Sequence, residues 1–387
     1  MLFFEHDAKE LLAIQGIPVP GSIRLAQVPT GVDVEDGAPS GPWMVKPQIL
    51  ITVPGQIPPP IAASTNSEIA AAVSALLDTT VDGQIVRSVL VERKMTPQGL
   101  AHLSFRCDPS SSGLRIEVGA GSKWGAGADG AATGATLSEV VAPDPNAVIA
   151  CVNRLAASLP AAARSCVAAA GRMLAPLYFG YEAILMEIDP LMILADDSWV
   201  VSDVRLAIDE SALFRHPELI ALLERRDYAY ADIRQHRASG IDYRVLDPEG
   251  GVATIASGAG YCAYLLDELI ARGVRPYNFM NAGPSAINGP AECLHSALEW
   301  LQAAKALHCV LVAISDGTID LAVFAGHLAA ALEQTADFKT PLVVRMAGPG
   351  ADAAGKVLQK ASDRVRLERD IGAALDLAAA HAAGATG

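Results

Sequence analysis

Basic residues, closely spaced cysteines, long apolar runs and aromatics are all scarce in this chain, and each shortage removes a class of function. Lysine and arginine total 29 against 43 acidic residues, a formal charge of −14. No concentrated basic face is available to hold a phosphate backbone, so no nucleic-acid partner is expected. The cysteines (Cys107, Cys151, Cys166, Cys262, Cys293 and Cys309) are scattered without C-x-x-C spacing, which argues for buried free thiols and against a zinc site or a disulfide framework. No apolar run approaches the roughly 18 residues of a membrane span, so no membrane association is expected. The N-terminus, MLFFEHDAKELL, has acids where a secretory signal carries basic residues and a longer apolar core, so a cytoplasmic location is expected. With aromatics at 5% and apolar residues at 51%, the composition is that of an alanine-rich α/β protein. Its 387 residues suffice for two or three domains, each with its own core.

The stretch EAILMEIDPLMILADDSWVVSDVRLAIDESALFRHPEL organises the rest. Two apolar runs flank a polar turn, Ala195, Asp196 and Asp197, at hairpin spacing, which predicts an antiparallel β-hairpin. With those residues as the loop, Leu194 faces Ser198 and the register sets Asp189 opposite Asp203. Period-two alternation then sets Glu187 opposite Arg205. Two carboxylates about 5 Å apart on a half-buried sheet repel by roughly 3 kcal/mol at an effective dielectric of ~20, a cost that a divalent cation removes. Hard oxygen ligands suit magnesium, so Asp189 and Asp203 are candidate metal ligands.

Upstream, LFFEHDAKELLAIQG reads as a helix ended by Gly16, with Pro18 and Pro20 leading outward. GPWMVKPQILITV reads as a strand whose single charge, Lys46, is costly unless its ammonium reaches an anion or water. The next segment, with Pro54, Pro58, Pro59 and Pro60 around Gly55, cannot present a row of amides to a phosphate. A helix is expected over 67–77, and VRSVLVERKM reads as a strand. GAGSKWGAGADGAATG is glycine-rich but lacks the ending and frame of a P-loop. Lys123 and Trp124 are its candidate ligand contacts. Helices over 145–178 are expected beneath the hairpin, and a charged helical segment ends at Ser239 and Gly240, where the domain boundary is placed. Beyond it, GGVATIAS, HCVLVAIS and PLVVRMAG are continuous apolar strands, each followed by a small-residue loop and a helix. That alternation predicts a parallel sheet of flavodoxin-like type, with its site in the loops SGAG, NAGPS, SDGTID and AGPGAD at the carboxyl strand ends. His102, His308 and His327 fall on apolar faces and are expected in or near the core, and no Ser-His-Asp order or H-x-x-x-H motif is present.

The run EIDPLMI followed by SDVRLAIDESALFRHPEL resembles the β subunit of ADP-forming succinate–CoA ligase, where EINPL precedes a strand reading LDGK and then GNALFR. The first helix with its G-I-P-V-P exit, GPWMVK (GPWVVK in the family), LVER (LVEA) and the four loops (NGAG, DVGGGA, FGGI and EGNN) follow in the same order over nearly the whole chain. The resemblance implies an α/β architecture with an ATP-grasp nucleotide-binding domain over 1–239, followed by a flavodoxin-like CoA-ligase domain over 240–387. It implies that Asp189, an Asn-to-Asp departure, and Asp203 hold the Mg2+ of ATP and that Lys46 contacts phosphate. Glu92, with Arg93 beside it, would mark the hinge at the adenine, and Glu187 would complete the nucleotide site. Arg205, Gly317 and Thr318 would serve catalysis, since the FGGI loop opens a helix whose amides face a phosphohistidine of the partner subunit. The partner would be an α-type chain that binds CoA, and the substrate a small carboxylic acid such as succinate or malate.

Departures from the family are concentrated at the chemistry. The family's glycine-rich lid is replaced by the proline-rich segment, and no acid lies between Lys94 and Cys107, where a further nucleotide contact belongs. Asp316 stands where a phosphate should approach, and Pro284 replaces a glycine amide. The competing reading is therefore a degenerate scaffold that binds an α-like partner without turning over nucleotide.

Overall fold

The computed structural model describes residues 1–28, 40–50, 57–81, 84–122, 135–226, 229–287, 289 and 291–384. The chain divides into two compact units, Met1–Arg225 and Arg226–Gly387.

The first unit holds two antiparallel sheets. The smaller runs Ser22–Leu25, Val89–Arg93, Trp43–Pro47, Ile61–Ala63 in spatial order. Helix Asn66–Leu76 covers it, burying Ile69, Ala72, Val73 and Leu76 against Val45, Val89 and Val91. Its start is fixed by a variant of the capping box: the Thr65 hydroxyl accepts the Glu68 N–H, and the Glu68 carboxylate accepts the N–H of Ser64, one residue before the N-cap. The larger sheet runs Trp199–Val201, Ala183–Ile193, Gly99–Asp108, Gly113–Ala120, Leu137–Val141, with Val204–Ile208 also paired to Ala183–Ile193. Helices Pro145–Ala156 and Ala161–Gly180 pack on it, as expected. They cross closely: a Cβ on Gly171 would lie 2.6 Å from Val152 Cγ1, so only glycine fits there. The first residues of the chain extend this sheet. Phe3 N–H donates to Leu206 O, and Ile208 N–H to Met1 O, both at 2.9 Å. That strand addition lays helix Glu5–Ile14 against Val204–Ile208.

The second unit is a six-stranded sheet in the order Ile241–Val245, Asn278–Ala282, Val252–Ala256, Cys309–Ser315, Leu342–Ala347, Val365–Glu368. The last five are parallel, in the 2-1-3-4-5 order of a flavodoxin-like fold. Ile241–Val245 is an antiparallel edge strand, which the sequence reading did not include. Helix Ala231–Ser239 packs on that strand, so the boundary expected at Ser239 and Gly240 falls inside the second unit. Strands buried on both faces explain the continuous apolar runs: Cys262, Leu265 and Leu375 cover one face, and Leu298, Phe324 and Leu358 the other.

Five cysteines are buried and free, but Cys107 is exposed. His102 is buried, its ring nitrogens 3.1 Å from Gly121 O and 3.2 Å from Thr136 Oγ1. His308, expected near the core, is exposed because it precedes the strand that begins at Cys309. Among the described residues, no helix is long and apolar enough to cross a membrane.

Candidate functional site

The hairpin forms with the expected register. Leu194 N–H donates to Ser198 O at 2.8 Å, and Ile193 pairs with Trp199. Asp196 fixes the turn by accepting the Ser198 N–H and hydroxyl. Further along, Asp189 N–H donates to Asp203 O at 3.3 Å, and Glu187 pairs with Arg205. Asp189 therefore opposes Asp203. The Arg205 guanidinium lies 2.8 Å from the Glu187 carboxylate, so these two residues hold one another across the strands.

Three elements bring charge to one buried place beside Asp203. Lys46 on Trp43–Pro47 and Glu92 on Val89–Arg93 come from the smaller sheet, and Glu5 and Lys9, one turn apart, from helix Glu5–Ile14. The Lys46 ammonium lies 2.8 Å from Glu5 Oε1, 2.6 Å from Glu92 Oε1 and 2.8 Å from the Ser202 carbonyl. The Lys9 ammonium lies 2.7 Å from Glu5 Oε1, 2.5 Å from Glu92 Oε2 and 2.6 Å from the same carbonyl. Burial would lower the Lys46 value, but Glu5, Glu92 and Asp203 raise it well above the ordinary range, so the group stays an ammonium. Burial would raise the Glu5 carboxyl, but Lys46 and Lys9 outweigh it and hold the group at about 2. Asp203 goes the other way. Burial and the Glu5 and Glu92 carboxylates push it up to about 7, against the pull of Lys46 and Lys9.

A dication at Asp203 would relieve this excess of negative charge. Among the described residues no group of three or more His, Cys, Asp or Glu converges to hold a metal. The Asp189–Asp203 pair matches the one or two carboxylates that magnesium takes when nucleotide phosphates complete its shell.

In the second unit the carboxyl strand ends carry a different pattern. Asp316 Oδ1 accepts the Thr318 N–H at 2.6 Å and the Thr318 hydroxyl at 2.7 Å, bonds that hold its carboxyl below the usual range. Asp320 caps helix Leu321–Gln334 by accepting the Ala322 N–H. The Thr318 amide, expected to face an incoming phosphate, is engaged in this structure by the loop's own carboxylate. Gly317 has open space around it. Nearby on the sheet, Gly258 N–H donates to Asn281 Oδ1, and Asn281 Nδ2 to Asp242. Arg345 contacts the Tyr261 hydroxyl and the Arg369 carbonyl, each at 3.4 Å, and has no carboxylate partner among the described residues.

No protein-family model matches the chain. The β subunit of ADP-forming succinate–CoA ligase from Desulfosudis oleivorans is 29% identical over 373 residues, covering 92% of this chain and 93% of that one. Subunit β 2 of the same enzyme from Archaeoglobus fulgidus is 28% identical over 386 residues, with 94% of each chain covered. This chain is a distant, full-length relative of succinate–CoA ligase β subunits. The structure of ATP citrate lyase from Methanothrix soehngenii, in complex with citrate and coenzyme A, superposes with a TM-score of 0.76 over 97% of this chain and 98% of that one, at 16% identity. The fold is therefore that of ATP citrate lyase, with antiparallel ATP-grasp-like sheets followed by a mostly parallel one.

Against the pattern of the succinate–CoA ligase β chain, Asp189, Asp203 and Lys46 gather in one unit. Glu92, the hinge candidate, turns its carboxylate onto the two lysines. Arg93 is exposed, and its N–H donates to Gly21 O. Pro54 and Gly55 of the proline-rich segment, and Lys123 and Trp124 of the glycine-rich one, lie outside the described residues. Glu5 and Lys9 were missed from sequence. The available signal was that positions 5, 9 and 12 share a helix face on which Leu12 is fully buried, and a lysine on such a face demands counter-charge.

Proposed function

We propose that this chain is the β-type subunit of an ADP-forming carboxylate–CoA ligase. It would use ATP and Mg2+ in the cytoplasm to activate a small carboxylic acid, through a histidine on an α-type partner that binds CoA. The observation that carries the reading is the Asp189–Asp203 register beside buried Lys46. Magnesium, when bound, would neutralise phosphate charge and orient the nucleotide. Asp189 and Asp203 would hold it, Lys46 would meet phosphate oxygens, and the Glu187–Arg205 pair would keep the hairpin strands in register behind them. In the second unit, the Arg345 guanidinium, with no carboxylate of a described residue within salt-bridge distance, suits the carboxylate of the acid.

One observation favours a second reading. Because Asp316 engages the Thr318 amide, the chain could bind nucleotide and partner yet fail to relay the phosphoryl group. Co-purification with an α-type chain, followed by CoA-dependent ADP release across succinate, malate and related acids, tests the first reading. ADP release with one acid supports it. Nucleotide binding with no phosphohistidine on the partner and no ADP release supports the second.

A further inference from the structure

We propose that Lys9 is a positioning residue that frees Lys46 for an anionic ligand, an inference that rests on the nucleotide site proposed above. The two ammonium groups arrive from different elements yet share the same acceptors: Glu5 Oε1, the Glu92 carboxylate and the Ser202 carbonyl. Glu92 divides its oxygens between the two, Oε1 to Lys46 and Oε2 to Lys9, and both ammonium groups share Glu5 Oε1 and the Ser202 carbonyl, so no acceptor group depends on either cation alone. The duplication has a use if one of the two cations moves. Lys46 is the one placed to do so, with its side chain 9% exposed against 2% for Lys9. If Lys46 turned to a phosphate oxygen without Lys9 present, two buried carboxylates and a carbonyl would lose their cation together, and they would compete with the ligand for it. With Lys9 in place, each acceptor keeps a charge-assisted hydrogen bond while Lys46 is away. Lys9 itself touches no ligand and acts through the carboxylates it holds.

The test is Mg·ATP affinity of the full chain by titration calorimetry, with four variants. Lys9→Met should weaken binding by about tenfold or more, while Lys9→Arg, which keeps a cation over both carboxylates, should stay within about threefold of the unaltered chain. Leu12→Ala removes buried packing from the same helix without touching a charge, and it should also bind within about threefold. Lys9→Met with Glu5→Gln removes one cation and one anion together, so it keeps the charge count and folds where the single variant does not. It should still bind about tenfold or more weakly, because Lys46 remains the one cation on Glu92. A purely structural role for Lys9 predicts the opposite: recovery in the charge-balanced pair, and a loss in Leu12→Ala that matches Lys9→Met. Either result overturns the proposal. Absence of Mg·ATP binding by the unaltered chain at millimolar nucleotide overturns the nucleotide reading and this inference with it, and the unaltered chain alone tells the two failures apart.

Discussion

Replacing Asp203 with asparagine should stabilise the ligand-free chain, increasingly so as pH rises from about 4 to 7. Around the Ser202 carbonyl, two ammonium groups face the carboxylates of Glu5, Glu92 and Asp203, which leaves one carboxyl in excess. Burial and the neighbouring glutamates push that of Asp203 from 3.8 up to about 7. A gap of about 3 on the pH scale, at about 1.4 kcal/mol per unit, sets a ceiling of roughly 4 kcal/mol. An acid whose folded-state value lies above its unfolded one has no effect on stability below about pH 4, where both states hold the proton. Between about pH 4 and 7 the unfolded chain ionises first, so the penalty grows, and above about pH 7 it is constant. For a unit of this size each kcal/mol moves the melting temperature by about 2 to 4 °C, so the ceiling corresponds to roughly 8 to 16 °C. Calorimetric melting of Asp203→Asn and the unaltered chain from pH 4 to pH 8 should show curves that separate as pH rises, the variant melting higher. Added Mg2+ should narrow the gap by raising the unaltered chain alone. Equal melting at pH 8, or a variant that melts lower there, would mean that the Asp203 carboxylate is ionised and well paired in the fold, and the charge argument would be wrong.

Other outcomes follow from particular contacts. A polar alkylating reagent should label Cys107 in the folded chain, whereas Cys262 and Cys309, whose thiols burial pushes up to about 12, should label only after denaturation; peptide mass spectrometry reads the order. Gly171→Ala should cost about 1 to 3 kcal/mol in urea unfolding despite alanine's better helix propensity, because its methyl would meet Val152; a gain in stability would contradict the close helix crossing. Arg345→Ala should raise the KM for the acid by about tenfold or more while leaving Mg·ATP affinity unchanged, since the guanidinium lies on the second unit's sheet. An unchanged KM would remove Arg345 from the substrate site.

The hairpin was legible because loop length alone sets its register: once Ala195, Asp196 and Asp197 form the turn, Asp189 must meet Asp203. The parallel strands were legible because burial on both faces leaves no polar alternation, as in Val252–Ala256 and Cys309–Ser315. The antiparallel edge strand Ile241–Val245 was not, since its partner, Asn278–Ala282, lies across a helix and another strand in sequence, and neither run is strongly apolar. Lys9 and Glu92 are 83 positions apart, so their pairing was invisible until the N-terminal strand addition placed the helix. The Asp316–Thr318 contact was local and could have been read: an Asp two residues before a Thr commonly takes its amide and hydroxyl.

The central claim is that Asp189 and Asp203 meet across the hairpin to hold a nucleotide-bearing cation. Titration calorimetry of the full chain with ATP tests it most directly, with and without Mg2+, and again on Asp203→Ala. The account predicts saturable binding that requires Mg2+ and is lost in the variant. Binding of equal strength without Mg2+, or in Asp203→Ala, would contradict it.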